Sequence, residues 1–270
     1  MTALFLAGLS SSCSSPGTGD GGDGGDPATT EPLPDDTGPV PPPSEDTTPR
    51  PDDDADTPVV PELTYPAGPY GLAVGQTFPN LALQGYRDAQ GEWTSLSMLD
   101  HYDPDGARGI TGIYLVLAAQ WCGPCNLEAR VLSGYFEKDY RDRGAHFLTA
   151  VVQDGAHKPA TRATVDQWIE AHHIVFDIAS DPTQSAAPKG TYGLPYNYVI
   201  NPRTMKVIRI IPGVDPAIVA CSGSASCSAG YVCSPTLKTC LPEGALGPIY
   251  GLDAVMIKNG APRFDTGLGG

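Results

Sequence analysis

The sequence predicts an α/β sandwich, in which helices pack against a central β-sheet. Residues 109–119 form a continuous apolar run rich in β-branched and aromatic side chains, which is typical of a strand buried on both faces. Two segments with helical spacing follow it, at residues 125–142 and 161–174, and an apolar strand follows each of them. A strand pair completes the apolar pattern. Strands and helices thus alternate along the chain, as they do in α/β folds.

The first elements are an N-terminal hairpin, the buried strand and a long helix. Residues 81–86 and 92–96 are short strands around an Asp-Ala-Gln-Gly turn, and the strand at residues 109–119 runs directly into the helix. Pro124 suits an early helical position, and Gly144 ends the helix after several basic residues in its last turns.

The second half of the pattern supplies the rest of the sheet. Thr161 or Thr164 caps the second helix. Near the C-terminus, residues 248–264 show a weak helical pattern that Gly260 ends. Further strands are predicted at residues 145–154, 175–182, 192–201 and 206–213, the last two forming a hairpin.

The composition of residues 14–64 predicts a disordered tether. These residues are mainly Gly, Pro, Ser, Thr and Asp, so the segment has almost no apolar side chains to bury. They hold 13 of the 31 acidic residues and one of the 16 basic residues, so the acidic pI describes the tether rather than the folded part. No basic stripe exists, which argues against a nucleic-acid partner. The acidic run lacks a ligand-spaced Ca²⁺ loop, so a solvated spacer is the better interpretation.

Residues 1–13 contain a short apolar run, small residues and then Cys13. This resembles the end of a bacterial lipoprotein signal, in which the cysteine is lipidated and becomes the new N-terminus. The segment departs from that pattern in lacking Lys and Arg and in having Ser10 where leucine is usual. A cleaved soluble export signal and an ordinary disordered N-terminus are the alternatives.

The seven cysteines divide into Cys13, a Cys-x-x-Cys pair and a C-terminal cluster. The spacing within the cluster is too long for a zinc knuckle, and no histidine lies within it, so two disulfides and an oxidising compartment are the better interpretation. Four cysteines allow three pairings, among which the sequence does not choose. The cluster comprises Cys221, Cys227, Cys233 and Cys240.

The Cys122–Cys125 pair has the spacing that a dithiol switch needs. Cys122 lies at the start of the helix, where unpaired N–H groups and the helix dipole favour the thiolate. Cys125, one turn further on, is more shielded and can attack the mixed disulfide that Cys122 forms with a substrate. Pro124 fixes the turn, and Trp121 offers an apolar face for docking. A zinc site would need a second pair at similar spacing, and a purely structural bridge is the other alternative.

The sequence Trp-Cys-Gly-Pro-Cys after an apolar strand resembles the active-site signature of the thioredoxin superfamily. A second motif, Gly193-Leu194-Pro195, precedes the strand Tyr-Asn-Tyr-Val-Ile-Asn, where that superfamily places a cis-proline opposite the dithiol. The resemblance implies that Leu194 and Pro195 bind an extended substrate strand. An ordinary trans-proline in a loop is the alternative.

Within that superfamily, the sequence is similar to the membrane-tethered TlpA/ResA-type proteins, which are related to redoxin and AhpC/TSA domains. The N-terminal hairpin, the extra strand–helix segment before the proline and Glu128, three residues after Cys125, carry this resemblance over residues 67–214. It implies a three-layer thioredoxin-like fold with a hairpin extension. Glu128 would handle protons, because Val116 stands where thioredoxin has a buried aspartate. A solvated helix glutamate near Arg130 is the alternative.

The predicted organisation places a thioredoxin-like domain between the tether and a cysteine-rich insertion. The resemblance implies a thiol-disulfide oxidoreductase in the bacterial cell envelope, anchored through lipid on Cys13 and needing no cofactor or metal. It would reduce disulfides in envelope proteins and be recharged by a membrane electron donor. The predicted segments are a signal at 1–13, a linker at 14–64, the domain at 65–216, the insertion at 217–244 and a C-terminal segment at 245–270.

Three other classes of protein are alternatives to this hypothesis. A peroxiredoxin would need a threonine at Ala119 and a nearby proline, for which Leu115 is no substitute. A copper carrier of the Sco type has one more residue between its cysteines, together with a distant histidine. An envelope adapter would carry the same domain without using its thiols. The remaining histidines, interpreted as surface or helix-end residues, are His146, His157, His172 and His173.

Overall fold

The computed structural model describes residues 63–190, 192–249 and 251–268. Within them, seven strands form one mixed sheet in the order β2-β1-β5-β4-β3-β6-β7. This sheet and its helices confirm the predicted thioredoxin-like α/β fold. The strands are β1 Ala82–Arg87, β2 Gln90–Ser97, β3 Gly112–Ala119, β4 Ala145–Gln153, β5 Asp177–Ser180, β6 Tyr196–Asn201 and β7 Lys206–Pro212.

Strand β3 organises the sheet, since all eight of its residues are buried. It pairs in parallel with β4 and antiparallel with β6, so that Val116 lies opposite Thr149 on one side and Asn197 on the other. The double-sided burial agrees with the apolar run in the sequence. Because β3 is held by a neighbour on each side, the position of the chain that leaves its C-terminal end is fixed.

Helix α1, Gly123–Tyr135, follows β3 after a three-residue turn. A π turn at Phe136–Tyr140 and a 3₁₀ turn at Arg141–Arg143 continue it, and Gly144, with a φ of 83°, ends it. The sequence predicts a single helix here. The π turn instead directs the rings of its first and last residues against Phe147 of β4, at centroid distances of 5.0 and 5.4 Å.

Two further helices cover the sheet. Helix α2, Arg162–His172, begins with a capping box between Thr161 and Thr164. Helix α3, Leu252–Lys258, is shorter than the helical pattern in the sequence. It packs closely on β3, where a Cβ added to Gly112 would lie within 2.8 Å of two α3 side chains. The absence of a side chain at Gly112 therefore lets α3 approach the centre of the sheet.

The cysteine cluster forms a small disulfide-bonded hairpin outside the main sheet. Strands β8, Tyr231–Cys233, and β9, Cys240–Pro242, pair antiparallel. Three of these cysteine sulfurs lie within 4.8 Å of one another, the one potential metal-ligand group among the described residues. Since each is bonded to another sulfur, none offers a thiolate to a metal. The bonds are Cys221–Cys233 and Cys227–Cys240, one of the three possible pairings.

Several predictions for the N-terminal part concern residues outside the described ones. Cys13, the signal segment and nearly all of the linker lie there. The predictions for Cys13, the signal segment and the linker therefore stay predictions, as do the boundaries assigned to the domain and the insertion. Among the described helices, none combines the length and the apolar character that crossing a membrane requires.

Candidate active site

The two cysteines of the Cys-x-x-Cys motif lie at the junction of β3 and α1. Cys122 is the N-cap residue of α1, and Cys125 lies in its first turn with Pro124 between them. Their sulfurs are joined in a disulfide, and both residues are buried, with 3% and 1% of their surfaces exposed. The structure therefore brings the predicted redox pair together in its oxidised form.

The backbone of α1 favours negative charge on the first sulfur. The N–H of Cys125 donates to Sγ of Cys122 at 3.1 Å, as a side-chain cap does at a helix start. After reduction the same N–H and the positive end of the helix dipole would stabilise a thiolate on Cys122. The first turn of α1 contains no acidic residue that would oppose this.

A groove of about 450 Å³ opens beside the disulfide. The Leu194–Pro195 peptide bond is cis, and Leu194 lines the groove opposite Cys122. Pro195 is buried at the start of β6. The cis bond agrees with the family resemblance, and Leu194 and Cys122 line the same groove. This groove leaves room for an extended peptide between the two motifs.

Trp121 forms one wall of this groove. Its side chain is 43% exposed, and its Nε1 donates to Oε1 of Gln153 at 2.9 Å. The indole also stacks on the ring of His157, with centroids 4.7 Å apart. An exposed indole that is held at two points presents a fixed apolar face to a partner. His157 was not predicted to lie at the site, because the loop that carries it has no motif of its own.

Glu128 is fully buried behind the disulfide, one turn after Cys125 on α1. Tyr114 donates to its Oε1 at 3.0 Å, and Nδ2 of Asn197 donates to the same oxygen at 3.2 Å. Burial and the charge of Asp215 raise the pKa of Glu128 to about 8, against the opposing effect of the hydrogen bonds to its carboxylate. The alternative of a solvated helix glutamate is therefore wrong, because this face of α1 packs against β3 and β6.

Asp215 was not predicted as a site residue. It follows β7 in a loop, and burial raises its pKa to about 7, an effect that Arg209 opposes and Asp253 reinforces. The interpretation of His146 as a surface or helix-end residue also needs correction. His146 is a half-buried strand residue, and His172, although it ends α2, is buried with Nε2 3.0 Å from Asn126.

These features define the class of the protein: a thioredoxin-fold protein with a helix-capping cysteine pair and a cis-proline whose preceding residue, Leu194, lines the same groove as Cys122. The model of the AhpC/TSA family matches residues 74–209, and the chain belongs to that family. With a Cys-x-x-Cys pair at the redox position, it is an oxidoreductase of the thiol-disulfide type.

Solved structures with a similar fold include three bacterial proteins. A Chlorobium tepidum protein assigned as the thiol:disulfide interchange protein DsbE is 22% identical, over 54% of this chain and 89% of its own, with a TM-score of 0.41. The thioredoxin domain of a thiol-disulfide oxidoreductase from Bacteroides vulgatus is 14% identical, over 53% and 91%, with a TM-score of 0.40. A secreted thiol-disulfide isomerase from Corynebacterium glutamicum is 16% identical, over 52% and 77%, with a TM-score of 0.40. No curated protein matches the chain significantly.

Proposed function

We propose that the protein reduces disulfide bonds in other proteins of the bacterial cell envelope. The observation that carries the proposal is the position of Cys122, which caps α1 and lines the same groove as Leu194. A thiolate at that position lies where an extended substrate could bring its own disulfide. The family and the dithiol support thiol-disulfide exchange, and the groove supports a protein or peptide as the substrate.

The proposed reaction moves two electrons from the dithiol to the substrate. The Cys122 thiolate attacks one substrate sulfur, forms a mixed disulfide and releases the other sulfur, which takes up a proton. Cys125 then loses its proton, attacks Sγ of Cys122 and releases the second substrate sulfur as a thiol. The balance is one substrate disulfide reduced to two thiols and one Cys122–Cys125 disulfide formed.

The direction of electron flow is argued from the residues between the cysteines. Gly123 and Pro124 are those of thioredoxin, whose potential is about −270 mV, whereas strong oxidants lie near about −120 mV. We therefore favour a reductant. A membrane electron donor would restore the dithiol after each turnover.

The location is proposed from the N-terminal sequence. Lipid on Cys13 would anchor the chain, and the acidic tether would hold the domain away from the membrane. The substrates would then be disulfide-containing envelope proteins. Labelling of cells with a radioactive fatty acid, compared between the natural chain and Cys13→Ser, tests the anchor separately from the activity.

Insulin reduction tests the activity. The reduced protein should cleave insulin disulfides, Cys122→Ser should abolish the reaction, and Cys125→Ser should accumulate a mixed disulfide that is visible on a non-reducing gel. Equilibration with glutathione should give a potential below about −180 mV. A higher potential would indicate an oxidase or isomerase. Peroxide consumption that matches the insulin rate would instead support the alternative of a peroxiredoxin.

A further inference from the structure

We propose that Asp215 and Glu128 form a carboxyl pair that holds one shared proton behind the dithiol and exchanges protons with Cys125. The inference rests on the proposed thiol-disulfide exchange and adds a residue to it. Glu128 is the member on the same helix as Cys125, one turn away. Asp215 acts through Glu128 and sets the pH at which Glu128 can accept a proton.

The backbone places the two carboxyl groups together. The N–H of Asp215 donates to the Glu128 carboxylate, and the Tyr114 hydroxyl, which donates to Glu128 at 3.0 Å, also interacts with the Asp215 carboxyl. The charge of Asp215 therefore raises the pKa of Glu128. Two carboxylates that share a buried site cannot both ionise easily, so the pair retains a proton at a pH where isolated acids have lost theirs.

The loop that carries Asp215 is fixed to the dithiol side of the sheet. The N–H of Gly213 donates to the carbonyl oxygen of Pro195 at 2.8 Å, and its own carbonyl accepts from Nδ2 of Asn197 at 2.9 Å. The same Nδ2 donates to Glu128. One amide group thus joins the Asp215 loop, the acid on α1 and the strand that follows the cis-proline.

The hydrogen bonding leaves a place for a proton. Among the described residues, Oδ2 of Asp215 is buried without a hydrogen-bond partner. Oε2 of Glu128 has a long contact of 3.5 Å to Nδ2 of Asn197. An ionised, buried and unpartnered carboxylate oxygen is unfavourable, whereas a protonated one is neutral and can donate. The geometry therefore favours one proton on the pair.

The charged groups around the pair come from every element packed against it. Arg209 on β7 attracts the Asp215 charge, and Asp253 on α3 repels it. Tyr114 on β3 contributes its hydroxyl to Glu128. Burial is the largest cause of the raised pKa of both acids, about 8 for Glu128 and about 7 for Asp215. These directions agree with a pair that exchanges a proton near neutral pH.

The pair has a defined role in the exchange. Before Cys125 attacks the mixed disulfide, its thiol proton moves to the ionised Glu128 carboxylate, and the pair then holds one proton. The Cys125 thiolate forms the bond to Sγ of Cys122, and the substrate sulfur leaves as a thiolate. The pair then returns its proton through Glu128 to neutralise the departing charge. No proton or electron is gained or lost in this cycle.

Carboxyl ¹³C NMR of the oxidised protein tests the pair directly, because disulfide-bonded cysteines do not titrate. Glu128 and Asp215 should titrate in two coupled steps between about pH 5 and about pH 9. Asp215→Asn should lower the midpoint of Glu128 by about one unit or more, since it removes the repelling charge. The exposed Asp142→Asn variant is the matched control and should leave both midpoints unchanged. A Glu128 titration that Asp215→Asn does not move would overturn the proposal.

The rate of exchange is the second measurement. Oxidation of the reduced protein by excess oxidised glutathione should accelerate as pH rises through the titration of the pair. Asp215→Asn should shift this rise to lower pH, and Glu128→Gln should slow the reaction by about a hundredfold. A pH profile of Asp215→Asn superimposable on that of the natural protein would contradict the coupling. If the natural protein shows no exchange at any pH, the proposed function fails, while the NMR titration still decides the pair.

Discussion

At the scale of single residues, His101 and His146 form a buried pair away from the dithiol. His101 is 1% exposed, and its Nδ1 lies 3.1 Å from Nδ1 of His146. At that distance one neutral ring donates its hydrogen to the other. Oδ2 of Asp177 lies 3.7 Å from Nε2 of His101. Burial and the neighbouring His146 lower the pKa of His101 to about 3, so the pair is neutral in the folded protein.

The low pKa of His101 predicts that the folded protein loses stability in acid. The pKa of His101 is lower in the folded state than the ordinary value of 6.5, so the unfolded chain binds the proton more readily. The free energy of unfolding should therefore fall as pH drops from about 6.5 toward about 3, by about 3 kcal/mol at pH 4 from this group. Urea titrations at several pH values measure the slope.

His101→Asn should reduce that slope, because an amide keeps a polar atom near Nδ1 and does not titrate. His157→Asn is the control: that side chain is exposed, and asparagine tolerates its φ of 62°. It should leave the slope unchanged. Equal slopes for the natural protein and His101→Asn would show that other groups cause the acid unfolding.

At the scale of elements, the β3–α1 junction was predictable because each of its features is local. An apolar run predicts β3, and the Cys-Gly-Pro-Cys motif with Pro124 predicts the start of α1. The cis-proline was expected only from the resemblance to a family. Asp215 had no such signal, since a loop aspartate becomes a buried acid only when hydrogen bonds fold that loop back onto β6.

The groove beside α1 predicts a specific role for Trp121. Because the indole is exposed and held by Gln153, it can pack on a bound chain without losing side-chain freedom. Trp121→Ala should raise KM for insulin about tenfold, while the rate with oxidised glutathione, which is too small to span the groove, stays nearly unchanged. Steady-state kinetics with the two substrates measure both effects.

Leu127→Ala is the matched control for this prediction. Leu127 lies on α1 with 42% of its surface exposed, nearly the same as Trp121, but it does not line the groove. Its replacement should leave both reactions unchanged. Equal losses in the two variants would mean that helix stability, and not docking, determines the insulin KM.

At the scale of the whole molecule, the cysteine-rich hairpin is joined to the domain at defined points. Tyr135 at the end of α1 donates to the carbonyl oxygen of Ala217, and the N–H of Ala217 donates to Pro248. Oγ of Ser234 donates to Thr266 at 2.7 Å. The sequence could not choose among the three disulfide pairings, because the pairing depends on how β8 meets β9. The structure gives the hairpin two bridges that are independent of the redox pair.

Removal of a disulfide from the cysteine-rich hairpin should therefore lower the stability of the protein without changing its activity. The Cys227–Cys240 bridge closes a loop of sequence separation 13, and replacing both cysteines by serine should lower the free energy of unfolding by about 2–3 kcal/mol. Insulin reduction by the folded variant should keep its rate, because Cys122 and Cys125 lie in the main domain. Ser224→Ala, an exposed change in the same segment, is the control. A folded double variant that loses insulin reduction would place the hairpin in substrate binding, and unchanged stability would mean that the bridge does not form in solution.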